Sequence, residues 1–358
     1  MIFTSKTFTY KDLESSKYPF RPLSHIADVV SGIFTRSSKV FVLDSYKRDS
    51  FTFIGYSRCL REKVIIESDV VMSFLRNNAD IAFCGLGPEA VERGIILFES
   101  KDIDDFNNSI DASFLDSHPY LNDYIKQITP NIIGLRSKEI CKSVNILNRK
   151  QSEIFAQNKH ILAIKDKWCQ SFYDEKGNYA IPKEMYGISM KASILPPKVL
   201  TAIFNSALFS YLRLHNEFDN SSLRNSRYES ILNFPIPTYS LNQTLIVALE
   251  RIVDSLIWSK KHKEQSMSTN RMERYLYQML DMMIFELYLP EYVQERNISI
   301  SDDLQNSILV NNSINTSSDV SEVYSWFMSA NNKVRQKLML LDTRSPELLY
   351  PIYTFLIR

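Results

Sequence analysis

The sequence predicts an α+β protein: a mixed β-sheet with flanking helices, followed by a C-terminal helical region. Three observations lead there. Short β-rich runs alternate irregularly with helical candidates as far as Pro237. Beyond residue 240 the texture changes to long amphipathic stripes. Apolar residues make up 44% and charged residues 23% of the 358, the composition of an ordered globular chain.

A turn at Tyr18-Pro-Phe20 opens the first β region. Residues 26–34 and 39–43 are apolar runs separated by the polar Thr35-Arg36-Ser37-Ser38, which predicts a hairpin. Further strands are expected at 64–66, 94–98, 161–164 and 186–190. Helices are expected at 67–75 and at 115–128, where Tyr120, Leu121 and Tyr124 share a face. Helical periodicity resumes over 197–214. After Pro237, Leu245, Leu249, Ile252, Val253, Leu256 and Ile257 line one stripe of a helix over 241–263. A break at 266–270 precedes a second helix over 272–289, which Pro290 stops. Two more helical stretches, 318–341 and 346–357, follow a polar linker. The domain boundary falls near Tyr239, giving units 1–239 and 240–358.

The formal charge of +1 carries no global signal for nucleic acid, so any such site must be a local patch. Charge is segregated: residues 131–170 hold eight Lys/Arg against three Asp/Glu, and residues 89–123 hold nine acids against two bases. The scarcity of glycine, eight in the chain, argues against a nucleotide-binding enzyme, and no Walker A sequence occurs. Four widely spaced cysteines form no CxxC pair, and five scattered histidines form no metal motif. The start lacks a signal-peptide pattern, and no apolar run approaches the ~18–20 residues that span a bilayer. The expectation is a soluble, cytoplasmic protein with no membrane association and no metal.

The most informative segment is Ile203-Phe-Asn-Ser-Ala-Leu-Phe-Ser-Tyr-Leu-Arg213, followed by Leu223-Arg-Asn-Ser-Arg-Tyr-Glu-Ser-Ile-Leu-Asn-Phe-Pro-Ile-Pro237. A helix packed by Phe204, Leu208 and Leu212 is expected to end in a polar loop carrying Arg213, His215, Asn216, Arg224, Asn225 and Arg227. Arg and Asn are the side chains best suited to bidentate bonds with guanine and adenine edges.

This pattern, L-L-N-S-x-L-x-x-(F/Y), a polar loop, then L-x-x-(L/F)-P-I-P, resembles the TaqI-like specificity domain of type IIG restriction-modification adenine methyltransferases. Other pieces follow in order. Residues 26–35 and 39–43 resemble I-x-x-V-x-x-G-I-x-T and K-V-F-V-L, and residues 66–81 resemble I-E-x-x-x-L-x-P-x-L-R-G-x-D-I. Residues 159–179 and 280–289 are similar to the family's K-I-x-x-x-x-I…F-x-x-D-x-x-G and closing I-D-x-x-V-x-x-L-Y-G-L stretches. Asn77 stands where the family has Gly, and residues 137–158 do not match.

The resemblance implies a sequence-specific DNA target-recognition module. Its partners would be double-stranded DNA and a methyltransferase or restriction subunit or domain. Bond-making and S-adenosylmethionine would belong to that partner, with no catalysis and no cofactor in this chain. The expected DNA surface has three loops. Arg36, Ser37, Ser38 and Lys39, with Tyr46, Lys47 and Arg48, form the first. Arg136, Lys138, Lys165 and Lys167 form the second, and Arg213, Asn216, Arg224, Asn225, Arg227 and Tyr228 the third. The stripe over residues 241–257 either buries itself within a bundle or docks the catalytic partner.

Two enzymatic readings stand beside this one. Phe83-Cys-Gly-Leu-Gly87 spells F-x-G-x-G, as in a diverged S-adenosylmethionine-dependent methyltransferase, with Glu99 as the ribose ligand. The (Asn/Asp)-Pro-Pro-aromatic tetrapeptide of adenine methyltransferases is absent. Glu99-Ser-Lys101 with Asp80 has the outline of a PD-(D/E)xK nuclease. A non-DNA relic of a specificity domain is the third alternative.

Overall fold

The computed structural model describes residues 8–14, 17–35, 37–76, 80–82, 84–86, 93–104, 109–133, 146–165, 167–191, 194–219, 227–239, 241–261, 267–305, 307–311 and 317–355. Its principal strands are β1 (Ala27–Ser31), β2 (Val42–Arg48), β3 (Thr52–Ser57), β4 (Glu62–Glu67), β5 (Val71–Phe74), β6 (Arg93–Ile96), β7 (Lys159–Lys165), β8 (Trp168–Asp174), β9 (Tyr179–Ala180) and β10 (Met185–Met190). Its longer helices are α1 (Pro119–Ile133), α2 (Pro197–Asn205), α3 (Ala207–Asp219), α4 (Gln243–Lys261) and α5 (Met267–Tyr288). The α+β expectation holds.

One sheet is mixed, in the order β9-β5-β6-β2-β3-β4, with β9 parallel to β5 and the other pairs antiparallel. It has to curl. The short turn Ser68–Val70 joins the end of β4 to the start of β5, strands four places apart in the sheet. Four residue steps reach at most about 14 Å, whereas four flat strand spacings come to about 19 Å. Arg48 ties the curl across its inside edge, donating to the carbonyls of Ser68 (3.2 Å) and Val71 (2.9 Å). Gly94 permits the tight interior, because a Cβ there would lie 2.5 Å from the Phe53 ring. Phe41, Leu43, Phe53, Ile66 and Ile96 fill the curl against Leu121, Tyr124, Ile125 and Ile128 of α1. Glu67 fixes the start of α1 by accepting from the amides of Tyr120 (2.7 Å) and Leu121 (2.9 Å).

The second sheet is antiparallel, in the order β8-β7-β10-β1. Leu162 and Ile164 of β7 pack into the helical layer, while Ile161 and Ala163 pack toward the curled sheet. A strand covered on both faces must be apolar throughout, which explains the unbroken run at 161–164. The layers are therefore helices, four-stranded sheet, curled sheet.

The largest core runs across residue 239. Val199, Ile203, Phe204, Leu208 and Leu212 share it with Leu245, Leu249, Ile252, Leu256, Leu280 and Ile284. The α4 stripe is thus spent inside the molecule, settling its two readings in favour of internal packing. Pro235–Pro237 is a buried strand paired with Phe20–Pro22, and the Tyr288 hydroxyl donates to the Pro235 carbonyl (3.0 Å).

Several local expectations are corrected. Residues 26–34 and 39–43 do not form a hairpin: β1 joins the four-stranded sheet, while Ser38–Phe41 is a short helix leading into β2 of the other sheet. β1 takes β10 as its partner and β2 takes β3 and β6, so neither run pairs with the other. Residues 67–75 form a 3-10 turn and β5, not a helix. Ser206 breaks 197–214 into α2 and α3, and α5 begins at Met267, inside the expected break. That helix does stop before Pro290, at Tyr288, and Pro290 also starts the helix Pro290–Glu295 as its first residue, where a missing N–H costs nothing. The stretch 318–341 is interrupted between Ser317–Met328 and Lys333–Met339, where Asn332 caps the second helix.

Candidate nucleic-acid interface

The motif segment 203–213 builds an edge rather than a reading tip. β8 is the outermost strand of its sheet, and its outward backbone groups need partners. Side chains of the next two helices supply them. Asn205 Oδ1 accepts from Ser171 N (3.0 Å), and its Nδ2 donates to Ser171 O (2.8 Å). Ser210 Oγ accepts from Cys169 N (3.1 Å), and an Arg213 Nη2 donates to Lys167 O (3.5 Å). Arg213, expected at a loop tip, is 0% exposed and lies within α3. It is removed from the candidate surface because a backbone carbonyl, not solvent, faces its guanidinium.

The first group is partly assembled. Ser37 is half-buried, and Ser38, Lys39 and Lys47 are exposed. Arg36 lies outside the described residues, as does the side chain of Tyr46. Arg48 is exposed while held to Ser68 and Val71. Two residues that sequence reasoning missed join this group. Phe34 is 60% exposed, and the Lys183 ammonium lies 4.5 Å from its ring centroid. The parallel bridge between Ile33 and Pro182 brings these distant segments together. No local signal in the sequence marks that bridge.

In the second group, Lys165 is half-buried and donates to the Ile81 carbonyl (3.1 Å); burial pulls its pKa down, against the field of Asp80. Lys167 is exposed at the β7–β8 turn. Arg136 and Lys138 lie outside the described residues. In the third group, Arg227 is exposed at the start of the helix Arg227–Leu232. Tyr228 is half-buried, donates to the Val29 carbonyl (2.9 Å) and stacks on Tyr186 at 6.0 Å. Asn216 falls in α3 rather than in a loop; its side chain, Arg224 and Asn225 lie outside the described residues. Tyr228 therefore holds the start of the helix Arg227–Leu232 against β1. Lys165 and Lys167 stand at the opposite edge of the same sheet.

The enzymatic candidates have definite geometry. Ile81–Ala82 pairs antiparallel with Gly85–Leu86, so the chain turns back at Cys84 instead of leading into a helix N-terminus. Cys84 is buried with φ 60°, its amide donates to Asn205 (3.3 Å), and burial pushes its thiol up to about 12. Phe83 and Gly87 lie outside the described residues. Glu99 accepts from Ser152 Oγ (2.6 Å) and pairs with Lys101 (2.8 Å), which together hold its carboxyl below the usual range. Asp80 is buried and takes the Arg76 amide (2.6 Å) and the Arg93 guanidinium (3.3 Å). Glu99, Lys101 and Asp102 line a cleft of about 1070 Å³ with Arg48, Asp69 and His118. Among the described residues no three His, Cys, Asp or Glu side chains are grouped to hold a metal, and no helix is long and apolar enough to cross a membrane.

No protein-family model matches the chain, and no curated protein matches it.

Proposed function

We propose that this chain is a DNA target-recognition module of a restriction-modification system. On this reading it supplies sequence choice to an adenine methyltransferase or restriction enzyme that makes and breaks the bonds and binds S-adenosylmethionine. The observation that carries the reading is the exposed Phe34 ring with the Lys183 ammonium over it, brought together by the Ile33–Pro182 bridge a few residues before the exposed Ser38 and Lys39. Exposed cations interleaved with an aromatic ring suit a phosphate backbone and the bases beside it. The rigid two-sheet frame beneath suits a reader whose tips must hold their geometry. The resemblance of the segments at 26–43 and 203–237 to specificity domains adds the restriction-modification context.

The test is an electrophoretic shift of duplex DNA across a salt series. The reading expects a shift whose log affinity falls linearly with log salt. A missing or salt-independent shift would overturn it. Calorimetry with S-adenosylmethionine separates the methyltransferase alternative, which alone requires micromolar binding by this chain.

A further inference from the structure

The tip of the β2–β3 hairpin carries Phe51, 83% exposed. The ring is held out in water by a tip whose backbone is fixed on both sides. The rigidity is visible. Asp49 accepts from the amides of Phe51 (2.9 Å) and Thr52 (2.7 Å) and from Thr52 Oγ1 (3.0 Å). The Phe51 carbonyl accepts from Ser68 N (2.9 Å), and Ser68 Oγ donates to the Asp49 carbonyl (2.8 Å). Arg48, at the base of the tip, is anchored to Ser68 and Val71. The backbone around the ring is therefore set before any partner arrives, which lowers the ordering cost of binding.

We infer that Phe51 is an apolar wedge that inserts against the base stack of bound DNA. This rests on the DNA-recognition reading above. The surroundings favour nucleic acid over a protein partner, because a protein dock needs a contiguous apolar patch. Here the ring stands in a turn with Asp49, Ser50 and Thr52, with Glu67, Ser68 and Asp69 across from it. Lys47 and Arg48 flank it on the exposed strand end, where phosphates would lie. The three neighbouring carboxylates are already engaged, Glu67 by the amides of Tyr120 and Leu121. Asp49 is held by Thr52 and Phe51 with Lys47 adding its field, and Asp69 pairs with His118 at 3.2 Å. Wedges of this kind pry open a base step while cations hold the backbone on either side.

The experiment uses the full chain and short random-sequence duplexes carrying 2-aminopurine at low salt. Wild type should raise 2-aminopurine fluorescence on binding, the signature of an unstacked base. Phe51→Ala should lose that rise and bind about tenfold more weakly, while Phe51→Leu should keep most of both. Because the ring is in solvent, unchanged circular dichroism and melting should accompany the Ala variant. Wild-type binding without a fluorescence rise, or full affinity in Phe51→Ala, would overturn the wedge and leave the DNA reading intact. Absence of any binding by wild type would overturn both.

Discussion

Asn205 and Ser171 exchange two hydrogen bonds, Nδ2 to the Ser171 carbonyl at 2.8 Å and the Ser171 amide to Oδ1 at 3.0 Å. A side-chain amide thereby occupies the place of a missing neighbouring strand. The same Asn205 takes the Cys84 amide (3.3 Å) and donates to the Thr201 carbonyl (2.7 Å), so one residue joins α2, the sheet edge and the 81–86 hairpin. Asn205→Ala strands these buried groups, each unmet group costing about 1–3 kcal/mol. The expected loss is about 3 kcal/mol in denaturant unfolding. A variant of wild-type stability would show that the clamp is dispensable.

A second prediction concerns the buried pair Lys159–Asp174, 2.8 Å apart. Desolvation lowers the Lys159 pKa, opposed by the field of Asp174. Asp174 also accepts from the amides of Asn178 and Tyr179, both at 3.0 Å, and so places β9. Lys159→Met leaves that carboxylate buried without its cation, which costs about 3–5 kcal/mol. Urea unfolding measures it, and a loss below 1 kcal/mol would contradict the pairing argument.

These two cases show what the sequence carried and what it did not. The runs at 64–66, 161–164 and 186–190 and the stripes of α1 and α4 were legible, because apolar period follows from which faces are covered. The destination of β1 and β2 was not, since alternation says that a strand is buried and not in which sheet. Arg213 misled for a similar reason. An arginine in a motif does not reveal whether its partner is a phosphate or a carbonyl, and its partner Lys167 lies 46 residues away. Phe34 and Lys183 were missed because only the Ile33–Pro182 bridge makes them neighbours.

His118 joins the end of the helix Ala112–Ser117 to the turn at Asp69. Its Nδ1 lies 2.8 Å from the Phe114 carbonyl and its Nε2 3.2 Å from Asp69. Burial disfavours the charged ring, but the Phe114 carbonyl and Asp69 outweigh it, and the pKa is raised above 6.5. A raised folded-state value means stability that is complete below 6.5 and fades as pH climbs through the folded value. Asp69→Asn should flatten that decline in a melting series from pH 6 to 9. An unchanged slope would remove Asp69 from the account.

Asp281 gives a second slope of the same sign from different chemistry. Its desolvated carboxyl is pushed up to about 7, with the Ala207 amide bond (2.8 Å) pulling the other way. Between 3.8 and about 7 the folded state holds a proton that the unfolded chain has lost. Stability therefore falls as pH rises across that window, by at most about 1.4 kcal/mol per unit. Asp281→Asn keeps an acceptor for Ala207 and should be relatively more stable at pH 8 than at pH 4. Parallel curves for variant and wild type would refute a shifted Asp281.

The proposed DNA surface makes its own quantitative demand. Lys39, Lys183 and Arg227 stand exposed, and a cation that neutralises one phosphate releases about one counterion. Each Ala substitution should weaken binding about equally across duplex sequences and reduce the salt slope by about 1. Arg213→Ala should behave differently. Arg213 is buried against the Lys167 carbonyl, so any affinity it loses should follow lost folding, with the slope unchanged in the folded fraction. If Arg213→Ala alone lowered the slope while Lys39, Lys183 and Arg227 were silent, the duplex would lie along the β8 edge and not over those three cations.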